Sequence, residues 1–469
     1  MLRESVSPDL AQPSKGINLR EPAHQLMAGE VVKLQNLYWD GFIRLSPGST
    51  LHTSSVITAG QAIRGGTRFY PTDALPVRLI ATEDAVYSVG ELGEFSSIGV
   101  ITSGITNVFF TTWSISSSVY IVDGVSSLLV YDGLLFESIV GTNIPIAKGP
   151  IVPILDRLLG ITDDGIERTD SRVDDVWSAN SSWATFRPER PGKFIALHPY
   201  SIKGTDTIYP GVLALQQSAY YHITGTDFGT DVTSATASSG ENSAITIIDS
   251  QVGTSSPKSI VTVPGIGTLW FTSDKNIYWI PEGQLSGKFV GDKLFSNGTT
   301  QGLESVNTEA LGAVWMDYFD RKLILGVPMG ASTFVNTQFF LDLRTLSSAL
   351  DAPAPAWYGP MTMDTWGCVW REDQQGELRL MAGEGNASNG AYVYNTYLKN
   401  TASHYQGATE VFPIAIYQDR HNAFRRGQQS KHVQDIRLTA FVKDGLLKAG
   451  LLDLGSEVMF PQEVVVYHE

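Results

Sequence analysis

The residues of this chain with the means to do chemistry are carboxylates, histidines and tryptophans. Three carboxylate pairs stand out: Asp163 with Asp164, Asp174 with Asp175, and Asp317 with Asp320. Two carboxyl groups held ~5–5.5 Å apart cleave a glycan with retention. Neighbours in one turn do not define that distance, and aspartate is favoured in turns because its side chain bonds the local backbone. A turn is therefore the expected use of all three pairs. None of the histidines (His24, His52, His198, His222, His404, His421, His432, His468) pairs with another at the spacing of helical zinc ligands, so no metal site is expected. The single cysteine, Cys368, excludes an internal disulfide or a cysteine metal cluster. The Gly-x-Ser-x-Gly elbow of hydrolases is absent. Gly265-Ile-Gly267 lacks the third glycine or the lysine of a phosphate loop and reads as a turn. Trp177, Trp183, Trp270, Trp279, Trp315, Trp357, Trp366 and Trp370 lie mostly in strand-like stretches. Core packing is expected of them, ahead of a sugar-binding platform. Neither a catalytic constellation nor a cofactor is expected.

The elements around these residues repeat. An apolar strand, a short polar turn and a second apolar strand recur at 79–89, 119–125, 158–168, 212–223, 269–280, 314–325 and 368–380. The turns centre on Asp84, Asp123, Asp163, Gln217, Asp274, Asp320 and Gln374, about 40 to 57 residues apart. Hairpins at that period are what propeller blades give, because one blade cannot bury both faces alone. The fold class expected is all-β: a propeller of about six to eight blades over residues 71–400. A Ser/Thr/Gly-rich insertion near 226–257 reads as an exposed loop or extended hairpin. Stacked β-sandwiches are the alternative, since hairpin spacing alone does not separate the two.

Net charge is −15, and 17% of residues are charged. A tight nucleic-acid binder shows a basic surface, because phosphate contacts supply most of the affinity. This balance argues against gripping DNA, though not against DNA sliding past. No stretch approaches the ~18 apolar residues of a membrane span. The first residues lack the apolar run of a signal peptide, so maturation in a reducing cytoplasm is expected.

The two ends read differently from the middle. Residues 1–70 form an arm punctuated by Glu21-Pro22, Asp40-Gly41 and Pro47-Gly48. The arm has no core of its own. Its stretch 16–48 is expected to pack on the terminal domain or a neighbouring subunit, and deletion of residues 1–48 to leave a folded propeller that no longer assembles. Residues 401–469 carry strand-like stretches at 411–417, 433–441 and 463–467. They flank a polar, basic island containing Arg420, Arg425, Arg426 and Lys431. An intersubunit contact to an acidic surface is the expected use of that island.

Gly16, Asn18, Arg20, Leu26, Gly29, Glu30, Asn36, Gly41, Arg44, Pro47 and Gly48, in that order, resemble the N-terminal signature of bacteriophage tail hub proteins. These are the nozzle or tail-stabilisation proteins of short-tailed phages. Ser46 departs from the pattern, which has a basic residue there. The resemblance covers roughly a tenth of the chain. It implies that residues 1–70 and 401–469 meet in a small β platform beside the propeller. It also implies a homo-oligomer, a hexamer, in the virion tail. Its partners would be the head-to-tail connector (adaptor), a tail fibre or tailspike, and needle or distal tail proteins. DNA would cross the lumen without specific binding. Gly16, Asn18, Arg20, Glu30, Asn36, Arg44, Arg420, Arg425, Arg426 and Lys431 are the expected assembly residues. Asp84, Asp123, Asp163 and Asp274, on blade turns, are candidates for an acidic lumen that repels phosphate. A carbohydrate-binding or glycan-cleaving propeller and a cytoplasmic scaffold propeller are the other readings.

Overall fold

The computed structural model describes residues 13–21, 25–41, 43–72, 75–102, 104–163, 165–170, 172–177, 192–203, 208–225, 243–295, 302–347, 354–362, 364–374, 376–398, 403–411, 415–418, 447–451 and 464–468. Among them, seven antiparallel sheets follow one another as the blades of a propeller. The innermost strands are Gly65–Phe69, Phe109–Trp113, Val152–Ile154, Phe194–Pro199, Ile260–Val263, Trp315–Phe319 and Trp366–Gln374, opening blades 1 to 7. Each meets the next, with the step from blade 4 to blade 5 made through the turn Pro257–Ser259. The last meets the first, which closes the ring.

Strands such as Gly211–Gln216 and Thr337–Asp342 are buried along their whole length. That is the pattern of a sheet covered on both faces. The apolar clusters accordingly sit between successive blades. Leu79 and Val119 share one between blades 1 and 2, Trp113 and Leu158 one between blades 2 and 3, and Leu159 and Val212 one between blades 3 and 4. The largest joins blades 5, 6 and 7 and takes in Ile17, Val31, Leu34, Leu37 and Tyr38 of the arm.

All seven expected hairpins form, each within its own blade. In blades 1 to 5 the hairpin joins the second and third strands. In blades 6 and 7 it joins the first and second. Strand direction alternates within a blade, so the turns at Asp84, Asp123, Asp163, Gln217 and Asp274 share one rim. Those at Asp320 and Gln374 lie on the other. The uneven spacing of the repeat comes partly from this change of hairpin.

Strand pairing divides the chain differently from the expected boundary at residue 70. Gly48–Leu51 is the outer strand of blade 7, with Leu51 opposite Tyr394 and Thr50 opposite Asn395. The first blade already opens at Gly65. An early strand thus closes the last blade and ties the ring across its seam. Lys33–Gln35 pairs with the outer strand of blade 6, Trp357–Met361, on one side and with Ala415–Gln418 on the other. Val464–His468 and Leu447–Leu451 continue that sheet to eight strands, so both chain ends extend blade 6. The arm therefore packs on its own propeller and on the C-terminal strand Ala415–Gln418. Its apolar residues complete the core between blades 5, 6 and 7. Of the 226–257 insertion, Ser243–Asp249 is the outer strand of blade 4, and 226–242 lie outside the described residues. So do 433–441.

Candidate functional site

The arm residues of the N-terminal signature converge on blade 6 and on the turn Asp292–Leu294 beside it. Gly16 has φ +72°, and a Cβ there would lie 2.1 Å from the Trp357 carbonyl oxygen. Only glycine lets the backbones approach this closely, and Ile17 N–H then donates to Trp357 O at 2.7 Å. Asn18 accepts from the Arg20 and Glu21 amides through Oδ1 and donates Nδ2 to Glu30 Oε2 at 3.1 Å. Glu30, 3% exposed, also accepts from the Met27 amide at 3.0 Å and pairs with Lys293 Nζ at 3.0 Å. Burial alone would raise its carboxyl. The Met27 amide, Lys293 and Asn18 outweigh that and hold it below the ordinary value. Lys293 Nζ also donates to the carbonyls of Lys15 and Ala354.

Asn36 is buried with φ +55°, a conformation asparagine tolerates. Its Oδ1 accepts from Thr362 N at 2.8 Å, and its amide donates to Pro360 O. Arg20 lies 3.9 Å from Asp292 on exposed surface, and half-buried Arg44 lies 3.9 Å from Asp40. Thus Gly16, Asn18, Glu30 and Asn36 bind the arm to its own propeller, and Arg20 and Arg44 face their own chain's carboxylates. Arg420, Arg425, Arg426 and Lys431 lie outside the described residues.

A second polar cluster seals the seam between blades 7 and 1. Glu372, on the inner strand of blade 7, accepts from Arg78 Nε at 2.9 Å and Nη2, from Arg68 Nη1 at 3.2 Å, and from Trp370 Nε1 at 3.1 Å. Arg78 Nη1 also meets His52 Nε2 at 2.7 Å and the Gly90 carbonyl. Burial would raise the Glu372 carboxyl; the arginines outweigh it and hold it low. Burial and then Arg78 push His52 down, consistent with a neutral ring beside a guanidinium.

A third cluster joins residues that sequence reading left apart. His404 Nδ1 lies 2.8 Å from Asp364 Oδ1, and its Nε2 lies 3.2 Å from Ser46 Oγ. The connectivity is that of a Ser-His-Asp relay, but His404 is 0% exposed and Ser46 3%. Without an open face the serine meets no substrate, and the three groups act as a clasp between arm, blade 7 and the 404–411 hairpin. Beside it, fully buried Glu384 accepts from Thr365 Oγ1, Tyr394 OH and the Asn386 and Gly407 amides. No sequence motif marks these residues, since Ser46, Asp364 and His404 meet only when the ring closes.

Among the described residues the carboxylate pairs do not assemble into an acid–base site, and Asp164 lies outside them. Asp163 pairs with Lys193 at 2.6 Å and Lys148 at 3.6 Å, and Lys193 foremost holds its carboxyl low. Asp174 accepts from Tyr120 OH at 2.6 Å. Asp317 pairs with Arg371 at 2.9 Å, and burial raises its carboxyl to about 6. Asp123 caps its own turn through Val125 N and Ser126 N. No group of three His, Cys, Asp or Glu residues suited to a metal occurs among the described residues. Trp177, Trp270, Trp279, Trp315, Trp357, Trp366 and Trp370 are buried.

The propeller axis opens on the Asp123 rim as a funnel of about 380 Å³, lined by Asn107, Phe109, Asp123, Lys148, Lys193 and Phe194 among others. Lys258, at the start of blade 5, donates its ammonium to the Arg64 carbonyl at the start of blade 1. That bond spans the ring and crosses the axis. Burial lowers the Lys258 ammonium to about 8.

No protein-family model and no curated protein matches the chain. Several solved structures are similar over most of it at low identity. YCF48 bound to a D1 peptide shares 9% identity over 78% of this chain and 98% of its own, with a TM-score of 0.43. An oligogalacturonate lyase in complex with manganese shares 10% over 75% and 96%, at 0.40. The computationally designed Ika8 protein shares 10% over 74% and 100%, at 0.36. The propeller assignment itself stands on the strand pairing and ring closure.

Proposed function

We propose that this chain is a structural component of a phage tail, a hub or nozzle subunit that assembles into a ring. The observation carrying this reading is the use made of the N-terminal signature. Gly16, Asn18, Glu30 and Asn36 fasten the arm to blade 6, where strands from both chain ends extend the blade into one sheet. The resemblance to tail hubs implies chain ends that meet beside the propeller, and this shared sheet supports that reading. Because Lys258 crosses the propeller axis, genome passage belongs to a lumen between subunits. Asp84, Asp123, Asp163 and Asp274 share one rim and face that lumen only if the ring presents that rim inward.

Two measurements test the reading. Peptide mass spectrometry of gradient-purified phage particles is expected to find the chain, and antibody labelling to place it on the tail. Absence from particles overturns the proposal. So does release of sugars from host envelopes that disappears in Asp317→Asn.

A further inference from the structure

Six of the exposed large apolar side chains share one rim, while Val100, Val125 and Val140 lie toward the Asp123 rim. Leu92 is 90% exposed, Leu134 86% and Leu75 84%; Leu135, Leu155 and Ile115 are also exposed. All six lie in turns joining the first and second, or third and fourth, strands of blades 1 to 3. By the alternation of strand direction these turns share the rim opposite Asp123. The turns of blades 1 and 2 touch there. Thr72 Oγ1 donates to Ser117 Oγ at 2.7 Å, and the Cβ position of Gly133 lies 3.1 Å from Pro71 Cβ.

These leucines are held rigidly. Asp132 Oδ1 accepts from the Leu134 and Leu135 amides at 2.7 and 2.8 Å. The Leu92 turn is closed by Gly90 N–H to Glu94 O at 2.8 Å and by the Leu92 amide to Glu94 Oε2 at 3.1 Å. Leu155 holds a left-handed φ of 51°. Turn centres ordinarily take Gly, Asn, Asp or Ser. Leucine held in an exposed turn breaks that rule with no gain inside the subunit, which is the mark of a contact surface. Exposed carboxylates surround the patch: Glu91, Glu94, Asp132, Glu137 and, across the seam, Asp373. Arg68 and Arg78 pair with Glu91, and exposed Arg172 donates its amide to the Asp156 carbonyl beside Leu155.

We infer that this acid-fringed apolar rim docks a second copy of the chain, head to tail, through its basic segment. The segment carries Arg420, Arg425, Arg426 and Lys431 around Phe424, matching carboxylates around leucines. Its flanking strands, Ala415–Gln418 and Leu447–Leu451, extend blade 6, three blades around the ring from blade 2. A heterologous contact between two different surfaces propagates into a closed ring or a filament. Rim-to-rim pairing would set like carboxylates face to face and is disfavoured. The inference rests on the assembling role proposed above, and its test is separate from the particle analysis.

The test is sedimentation of the purified full-length chain at low and high salt. Assemblies larger than a dimer are expected, weakened by salt as acid–base contacts are. Leu92→Asp with Leu134→Asp, and separately Arg425→Glu with Arg426→Glu, are each expected to weaken assembly at least about tenfold while the thermal melt of the subunit is kept. Adding Glu137→Lys, which leaves the Glu94 and Asp132 turn bonds in place, to the Arg→Glu variant is expected to restore assembly in part. A monomeric wild type, a symmetric dimer strengthened by salt, or undiminished assembly of the double-aspartate variant overturns the inference. If the chain is found in particles but these variants still assemble, the tail-hub reading stands and this surface does not.

Discussion

Two sides of the same ring contrast. At blades 6 and 7, buried polar groups meet one another: Glu30 with Lys293, Glu372 with Arg78 and Arg68, His404 with Asp364. At the rim of blades 1 to 3, leucines stand in water on rigid turns. Both break the usual placement of residue types, in opposite senses. Where the misplaced residues are paired within the chain, they hold the fold together. Where nothing among the described residues covers them, they are available to another molecule. A closed ring has one seam, and the buried polar pairs that hold it gather there, while the leucines stand on the rim beside it.

Deleting residues 13–47 is the strongest way to break the comparison. It removes Ile17, Val31, Leu34, Leu37 and Tyr38 from the core. At about 1.5–3 kcal/mol each, that approaches the stability of a whole domain, about 5–15 kcal/mol. No cooperative melt is expected. A truncated chain melting near the full-length one would show that the arm merely decorates the propeller.

Glu372→Ala comes next. It leaves Arg78 and Arg68 without their buried carboxylate and with only the exposed Glu91, and a loss of about 3 kcal/mol in denaturant unfolding is expected. A loss below about 1 kcal/mol would remove this pair from the seam. Gly16→Ala forces a Cβ toward the Trp357 carbonyl at positive φ. About 1–3 kcal/mol is expected, read as lost hydrogen-exchange protection at Ile17 and Val31.

Acid sharpens the contrast. Glu30 and Glu372 are held below the ordinary value of 4.5 in the fold. Their stabilisation is present above that pH and is lost as pH falls through their lower folded values. Hydrogen exchange followed downward from pH 5 should open the arm and the 7–1 seam before the 1–2 and 2–3 blade interfaces. Simultaneous opening would deny the seam its special role. The smallest effect belongs to Leu92→Asp, expected to change subunit stability by less than about 0.5 kcal/mol, because the side chain is already solvated.

Much of the fold was legible because local signals carry it. Asp84, Asp123, Asp163 and Asp274 mark tight turns between apolar runs, and each became a blade hairpin. Strand rank within a blade was not legible: the hairpin near Asp320 looks like that near Asp274, yet one joins strands 1 and 2 and the other strands 2 and 3. Nor was the seam, where Gly48–Leu51 pairs with a strand about 340 residues away by sequence. Closure of a ring has no local signature. The arm motif marked Asn18, Glu30 and Asn36 as special, but their partners Lys293 and Thr362 carry no pattern. Ser46, Asp364 and His404 likewise meet only through topology. The leucines at 92 and 134 were visible as residues; their shared rim appears only once the blades are in order.

One measurement bears on the whole account: a cryo-electron microscopy structure of the assembled protein. It is predicted to show residues 13–47 of each subunit on that subunit's own blade 6, and the blade 1–3 rim covered by the next subunit. An arm exchanged onto a neighbour's blade 6, or a rim left bare in the assembly, would contradict it.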